Sequence, residues 1–203
     1  MGEDSDVDAA RLYPQGKIVA IGASTGGPIA LGTVLKGLPR GFPCSVLIVQ
    51  HIALGFICGL VEWLQKETEH PIRLAEDWEP LRSGTVYFPP DDHHLAVSPQ
   101  GRIVLTKDPP IGGHRPSVDY LMRAVARAYG PRAVGVVLTG MGRDGARGLL
   151  KIRDAGGRTI AQDEATSLVF GMPMKAIDLK AARVVRPINQ VSEAILEALA
   201  LME

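Results

Sequence analysis

Apolar and polar positions along this chain fall into blocks that predict a succession of strands and helices. After Lys17, residues Ile18 to Ile21 form a short apolar run that ends at a glycine turn, the length and boundary of a buried strand. The pattern Pro28-Ile-Ala-Leu-Gly-Thr-Val-Leu then predicts a helix, with proline tolerated in its first turn. Leu38 to Pro43 reads as a loop, and Ser45 to His51 as a second apolar strand ending in histidine. A helix is expected from Phe56 to about Thr68, with Leu60, Val61 and Leu64 on one face, and a short strand over Ile72 to Glu76. From Glu79 to Asp108 the chain alternates as hairpins do, at Thr85-Val-Tyr-Phe, Leu95-Ala-Val and Arg102-Ile-Val-Leu, around a Ser98-Pro-Gln-Gly101 turn. That stretch is expected to be an antiparallel excursion.

Regular alternation resumes at Ser117, which is placed to cap a helix running to about Tyr129 with Val118, Leu121, Met122 and Val125 on its apolar face. Ala133 to Thr139 predicts a third buried strand, and Ala146 to Asp154 a helix ended by Gly156-Gly157. Arg158 to Gln162 (strand), Pro173 to about Lys180 (helix), Arg183-Val-Val (strand) and Gln190 to Met202 (amphipathic helix) complete the series. Continuous apolar strands alternating with helices predict an α/β class with a mainly parallel sheet covered on both faces. Residues 1–16 are acidic and weakly patterned and are expected to be a flexible lead-in or linker remnant, leaving 17–203 as one domain.

Bulk properties narrow the function. Lys plus Arg equals Asp plus Glu at 22 each, which removes a net electrostatic case for nucleic acid or an acidic membrane surface. Cys44 and Cys58 have no C-x-x-C spacing, suit a reducing cytosol and are expected in the core. No signal peptide and no apolar run of membrane-spanning length is read, so a cytoplasmic protein without membrane insertion is expected. No His or Cys pair has ligand spacing, and neither a metal nor a cofactor is expected.

The candidate chemistry sits at the strand ends. Gly22-Ala-Ser24-Thr-Gly26 matches G-x-S-x-G at a strand-to-helix turn, a place that exposes a hydroxyl beside helix N–H groups. On the turn alone a nucleophile, a phosphate cradle and a plain helix cap all remain open. G-x-G-x-x-G and G-K-[ST] are absent, and Gln50-His51 stands where an acid would hold a ribose. Ligands of open parallel sheets bind at the carboxyl ends of strands, which adds His51, Asp144 and Asp163-Glu164 to Ser24. Ser, His and Asp are the parts of an acyl-transfer triad: the hydroxyl attacks, imidazole moves its proton, and a carboxylate fixes the imidazole. Each has a plainer reading. His51 alone suits a structural histidine, Asp144 a helix cap, and Asp163 rivals Asp144 as the acid. His93 and His94 face opposite ways and are expected at the surface, while His114 lies in a loop before a helix, lining the site or capping.

Five blocks in order carry a resemblance: Val19-Ala-Ile-Gly-Ala-Ser-Thr-Gly-Gly-Pro28, Val49-Gln-His51, Gly113-His-Arg-Pro-Ser-Val-Asp119, Val137-Leu-Thr-Gly-Met-Gly-Arg-Asp-Gly-Ala146 and Thr159-Ile-Ala-Gln-Asp-Glu164, with Gly171-Met-Pro following. Together they resemble the catalytic domain of the chemotaxis protein-glutamate methylesterases, CheB, from about residue 17 to the C-terminus. The resemblance implies a doubly wound α/β fold and a serine hydrolase that cleaves γ-glutamyl methyl esters on the cytoplasmic helical bundle of chemoreceptors. Many such enzymes also deamidate receptor glutamines. It implies Ser24 as nucleophile, His51 as base and Asp144 rather than Asp163 as acid. It also implies Thr25 and Met141 beside the triad with backbone N–H groups for an oxyanion; His114 stands with them as a candidate for substrate binding. The family usually carries a phospho-receiver domain. This chain shows none, so an excised catalytic domain or a stand-alone enzyme is expected, with a receiver outside the chain as a partner. Where the family tends to Pro-Pro-x-Phe-Thr after the base, this chain has Ala53-Leu-Gly-Phe-Ile57. A non-catalytic binding module, and an esterase for a receptor-like protein outside chemotaxis, stand as the alternatives.

Overall fold

The computed structural model describes residues 16–202. The acidic lead-in expected over 1–16 lies, except for Gly16, outside the described residues. Seven strands form one sheet: β1 (Ile18–Ala23), β2 (Ser45–Gln50), β3 (Ile72–Leu74), β4 (Val86–Phe88), β7 (Ala133–Val137), β8 (Arg158–Gln162) and β9 (Val184–Arg186). Their order is β3-β4-β2-β1-β7-β8-β9, and every pairing is parallel. The remaining strands, β5 (His94–Val97) and β6 (Ile103–Thr106), pair antiparallel as a separate hairpin.

Strand alternation sorts the core into two layers. Val19 and Ile21 of β1 pack with α1 (Gly27–Gly37), α2 (Ile57–Glu67) and α6 (Val191–Ala200) on one face. Ile18 and Ala20 face the other way, toward α3 (Val118–Tyr129), α4 (Ala146–Asp154), α5 (Met172–Asp178) and the β5–β6 hairpin. The chain steps outward from β1 through β2 to one edge, then restarts at β7 and steps to the other. The reversal lies at β1 and β7, and in open parallel sheets ligands bind outside the carboxyl ends of the strands at such a point. At the end of β1 the turn into α1 passes through Gly26 at φ +81°, a left-handed conformation that an L side chain rarely adopts.

The structure corrects three expectations. Val86–Phe88 is no part of an antiparallel excursion, for it joins the main sheet between β2 and β3, buried on both faces. Only β5 and β6 form the expected hairpin. His94 is fully buried rather than at the surface, because the hairpin turns that face onto α3. Cys44 is in the core, but Cys58 lies on the exposed side of α2.

Candidate active site

The site is assembled from strand ends. Parallel pairing sets Ala23 opposite Gln50, so the next residues, Ser24 and His51, emerge side by side from adjacent strands, a spacing of about 5 Å. The His51 N–H donates to the Ala23 carbonyl at 3.0 Å, and the Ser24 N–H donates to the Thr139 carbonyl at 3.0 Å, which ties the turn to the strand ends on both sides. Gln50 clamps the two positions. Its buried side-chain amide donates to the Ser24 carbonyl and to the His51 carbonyl, each at 2.8 Å.

His51 Nε2 lies 2.9 Å from Asp144 Oδ2, and the two side chains are almost wholly shielded from solvent. Asp144 receives four further donors. Val118 N–H reaches Oδ2 at 2.7 Å, while Ser117 Oγ (2.9 Å), Asp119 N–H (3.0 Å) and Gly145 N–H (3.0 Å) reach Oδ1. Three of these come from Ser117, which caps α3, and from the first two residues of that helix, where free N–H groups and the helix dipole favour an anion. Burial pushes the Asp144 carboxyl up, but the His51 hydrogen bond and the Asp119 and Val118 N–H groups outweigh it and hold it below the ordinary carboxylate value. An ionised carboxylate only accepts, so Nε2 of His51 carries a proton, and in the neutral ring it is Nδ1 that keeps the lone pair. That Nδ1 is buried with no hydrogen-bond partner. Ser24 is half-buried, and its Oγ has no partner among the described residues. Unliganded sites commonly leave such a bond long until substrate arrives.

The other expected residues surround this centre. The His114 ring stacks on His51 with centroids 3.9 Å apart and planes 4° from parallel. Burial, then the neighbouring His51, hold the His114 imidazole below its ordinary value. Gly140 packs so closely on Ser24 that a Cβ there would lie 2.7 Å from the Ser24 Cβ, and this brings Met141 to the rim beside the serine. The backbone N–H groups of Thr25 and Met141 have no acceptor among the described residues. Two such donors beside a hydroxyl are what a developing oxyanion requires. Asp163 is engaged elsewhere, accepting from Thr166 N–H at 3.0 Å and Thr166 Oγ1 at 2.5 Å within its own loop. The structure therefore brings Ser24, His51, His114, Asp144, Thr25 and Met141 together and leaves Asp163 aside.

Two contributors went unread in the sequence. Ser117 was expected only to cap α3, and its Oγ does accept from Tyr120 N–H at 3.3 Å while it also donates to Asp144. Gln50 was a signal in plain view, a polar residue inside a buried strand. Among the described residues, no group of three or more His, Cys, Asp or Glu could hold a metal ion, and no helix is long and apolar enough to cross a membrane.

The family described as CheB methylesterase matches residues 19–195. The chain is 48% identical over 188 residues to the protein-glutamate methylesterase FrzG of Myxococcus xanthus, covering 93% of this chain and 56% of that protein. It is 50% identical over 181 residues to protein-glutamate methylesterase/protein-glutamine glutaminase 2 of Anaeromyxobacter dehalogenans, covering 89% and 53%. The chain thus spans about half the length of the curated relatives it matches. Among solved structures it is similar to the Thermotoga maritima CheB methylesterase catalytic domain, with a TM-score of 0.87 and 39% identity over 90% of this chain and 98% of that one.

Proposed function

The chain belongs to the CheB methylesterase family, and from that premise we propose that residues 17–203 are a catalytic domain hydrolysing glutamyl methyl esters of chemoreceptor cytoplasmic helices. Ser24 Oγ attacks the γ-carbonyl carbon as His51 Nδ1 takes its proton. The carbonyl oxygen becomes an oxyanion facing the Thr25 and Met141 N–H groups. When the tetrahedral intermediate collapses, His51 returns the proton to the methoxy oxygen and methanol leaves, with the glutamyl group now esterified to Ser24. Water, deprotonated by His51, attacks that ester and frees glutamate and the serine hydroxyl. Asp144 keeps the proton on Nε2 throughout and steadies the imidazolium formed at each transfer. The same steps applied to a glutamine side chain expel ammonia, which is the deamidase activity. His114, stacked on His51, lines the substrate side of the ring. The enzyme would work in the cytoplasm, under a receiver domain outside this sequence.

The observation that carries this reading is the polarity of His51: one nitrogen bound to a buried carboxylate, the other unpartnered beside the serine strand end. It is tested by methanol release from a methylated chemoreceptor fragment. Wild type should release methanol, and Ser24→Ala should fall by roughly 10⁶-fold, as when a triad nucleophile is removed. A folded wild type that releases none would overturn the receptor esterase. A second substrate reading has its own support. The segment after the base departs from the family pattern and leaves Leu54 and Phe56 on the surface, 69% and 63% exposed. Faster release from a methylated protein other than a chemoreceptor would favour it.

A further inference from the structure

One buried imidazole has no part in the chemistry above. His94 opens β5 with no solvent exposure, its ring stacked on Tyr120 at 4.3 Å between centroids. Both ring nitrogens are engaged. Nδ1 lies 3.2 Å from the Ser117 N–H, and Nε2 lies 3.3 Å from the Pro109 carbonyl. An amide N–H only donates and a carbonyl only accepts, so His94 is neutral with its proton on Nε2. Ser117, held from behind in this way, is also the residue whose Oγ and following two N–H groups grip Asp144. A continuous line of hydrogen bonds therefore runs from the Pro109 carbonyl through His94, Ser117 and Asp144 to His51.

Given the hydrolase reading above, we propose that His94 is a positioning residue: its neutral imidazole sets the start of α3, and through it the Asp144 carboxylate against His51. Protonation would put a second N–H on Nδ1, aimed at the Ser117 N–H, and turn an accepting contact into a repulsive one. The charged groups that act on His94 come from each element around it. Asp108 and Arg115 lie in the segment after β6, Asp144 in the loop after β7, and Tyr120 on α3 binds Asp108 at 2.6 Å. Arg115 is itself paired with Asp92. Burial above all, with Arg115 adding to it, holds His94 below the ordinary imidazole value against the opposing Pro109, Asp108 and Asp144. The relay is therefore intact at neutral pH and is broken by acid.

The test compares His94→Asn, whose Oδ1 can stand in for Nδ1 as an acceptor that never protonates, with His94→Leu, which has none. Measured per folded molecule, His94→Leu should lose about tenfold to a hundredfold in kcat with KM little changed, the scale of a displaced catalytic group. His94→Asn should recover most of that loss, and its acid limb should show one proton fewer than that of wild type. Equal damage in both variants, or wild-type kcat in His94→Leu, would overturn the proposal. Should His94→Leu fail to fold, an unchanged acid limb in His94→Asn overturns it alone. Imidazole ¹⁵N shifts of wild type should show Nε2 protonated and Nδ1 bare at pH 7, and the reverse would refute the relay whether or not methanol is released. A wild type without esterase activity but with this tautomer would sink the hydrolase reading only.

Discussion

Replacing Asp144 by asparagine changes one atom, and the consequence can be worked through its five donors. Oδ2 faces His51 Nε2–H and Val118 N–H, while Oδ1 faces two backbone N–H groups and the Ser117 hydroxyl. An amide must turn its NH₂ to one side. Toward Oδ1 it meets two donors that cannot move, whereas toward Oδ2 it meets only one, because His51 can shift its proton from Nε2 to Nδ1 and accept. Val118 N–H is then left buried without an acceptor, which costs about 1–3 kcal/mol of stability. The larger effect is on the base. With its proton on Nδ1, His51 presents an N–H where Ser24 needs a lone pair, and turnover should fall by about 10⁴-fold, roughly 5.4 kcal/mol on the barrier. Methanol release with urea unfolding on the same samples measures both terms. Asp163→Asn, whose carboxylate serves only its own loop, should change either by no more than about 0.5 kcal/mol. A folded Asp144→Asn that keeps more than a tenth of wild-type turnover would refute the assignment of the tautomer to this carboxylate.

Two further expectations concern stability. A Cβ on Gly22 would run into Val118 at the start of α3. Gly22→Ala should therefore cost about 1–3 kcal/mol by overpacking, and lower kcat by shifting the segment that holds Asp144; unchanged unfolding midpoint and rate would show that α3 gives way freely. Asp144 is held below its ordinary 3.8 in the folded state, so its contribution is present above that value and is lost as the pH falls through the folded value. Asp119, raised by burial, works in the opposite sense. The difference in urea midpoint between wild type and Asp144→Asn from pH 5 to pH 2 isolates the first effect, and a difference independent of pH would contradict it.

The long, regularly patterned elements were legible because their cores are one-dimensional signals. The run Ile18 to Ile21 needs no partner to read as a buried strand, and the apolar stripe of Val118 to Tyr129 reads as a helix from spacing alone. Val86–Phe88 was misread because three residues carry no information on which strand they join. That it lies parallel between β2 and β3 is decided by partners outside it, Val46 and Leu47 on one side and Ile72 on the other. The site follows the same division. Each strand-end candidate was visible, but the choice of Asp144 over Asp163 needed the family resemblance, since a carboxylate in a loop does not state which helix it turns toward. His94 shows the limit most plainly. Alternation says that one of two adjacent histidines points inward, and only the packed hairpin says which.

The central place of β1 has a consequence for synthesis. Gly22 pairs with Val137, 115 positions later, and chains are made at roughly 5–20 residues per second. One long edge of a strand with no exposed residue is therefore without its partner for about 6–23 s while the intervening chain is translated. Val169 and Gly171, whose backbones fasten the Gly140 turn beside Ser24, come later still. A nascent chain stalled before Val169 would carry the serine, the histidine and the aspartate but lack the backbone contacts that fasten the Gly140 turn beside Ser24.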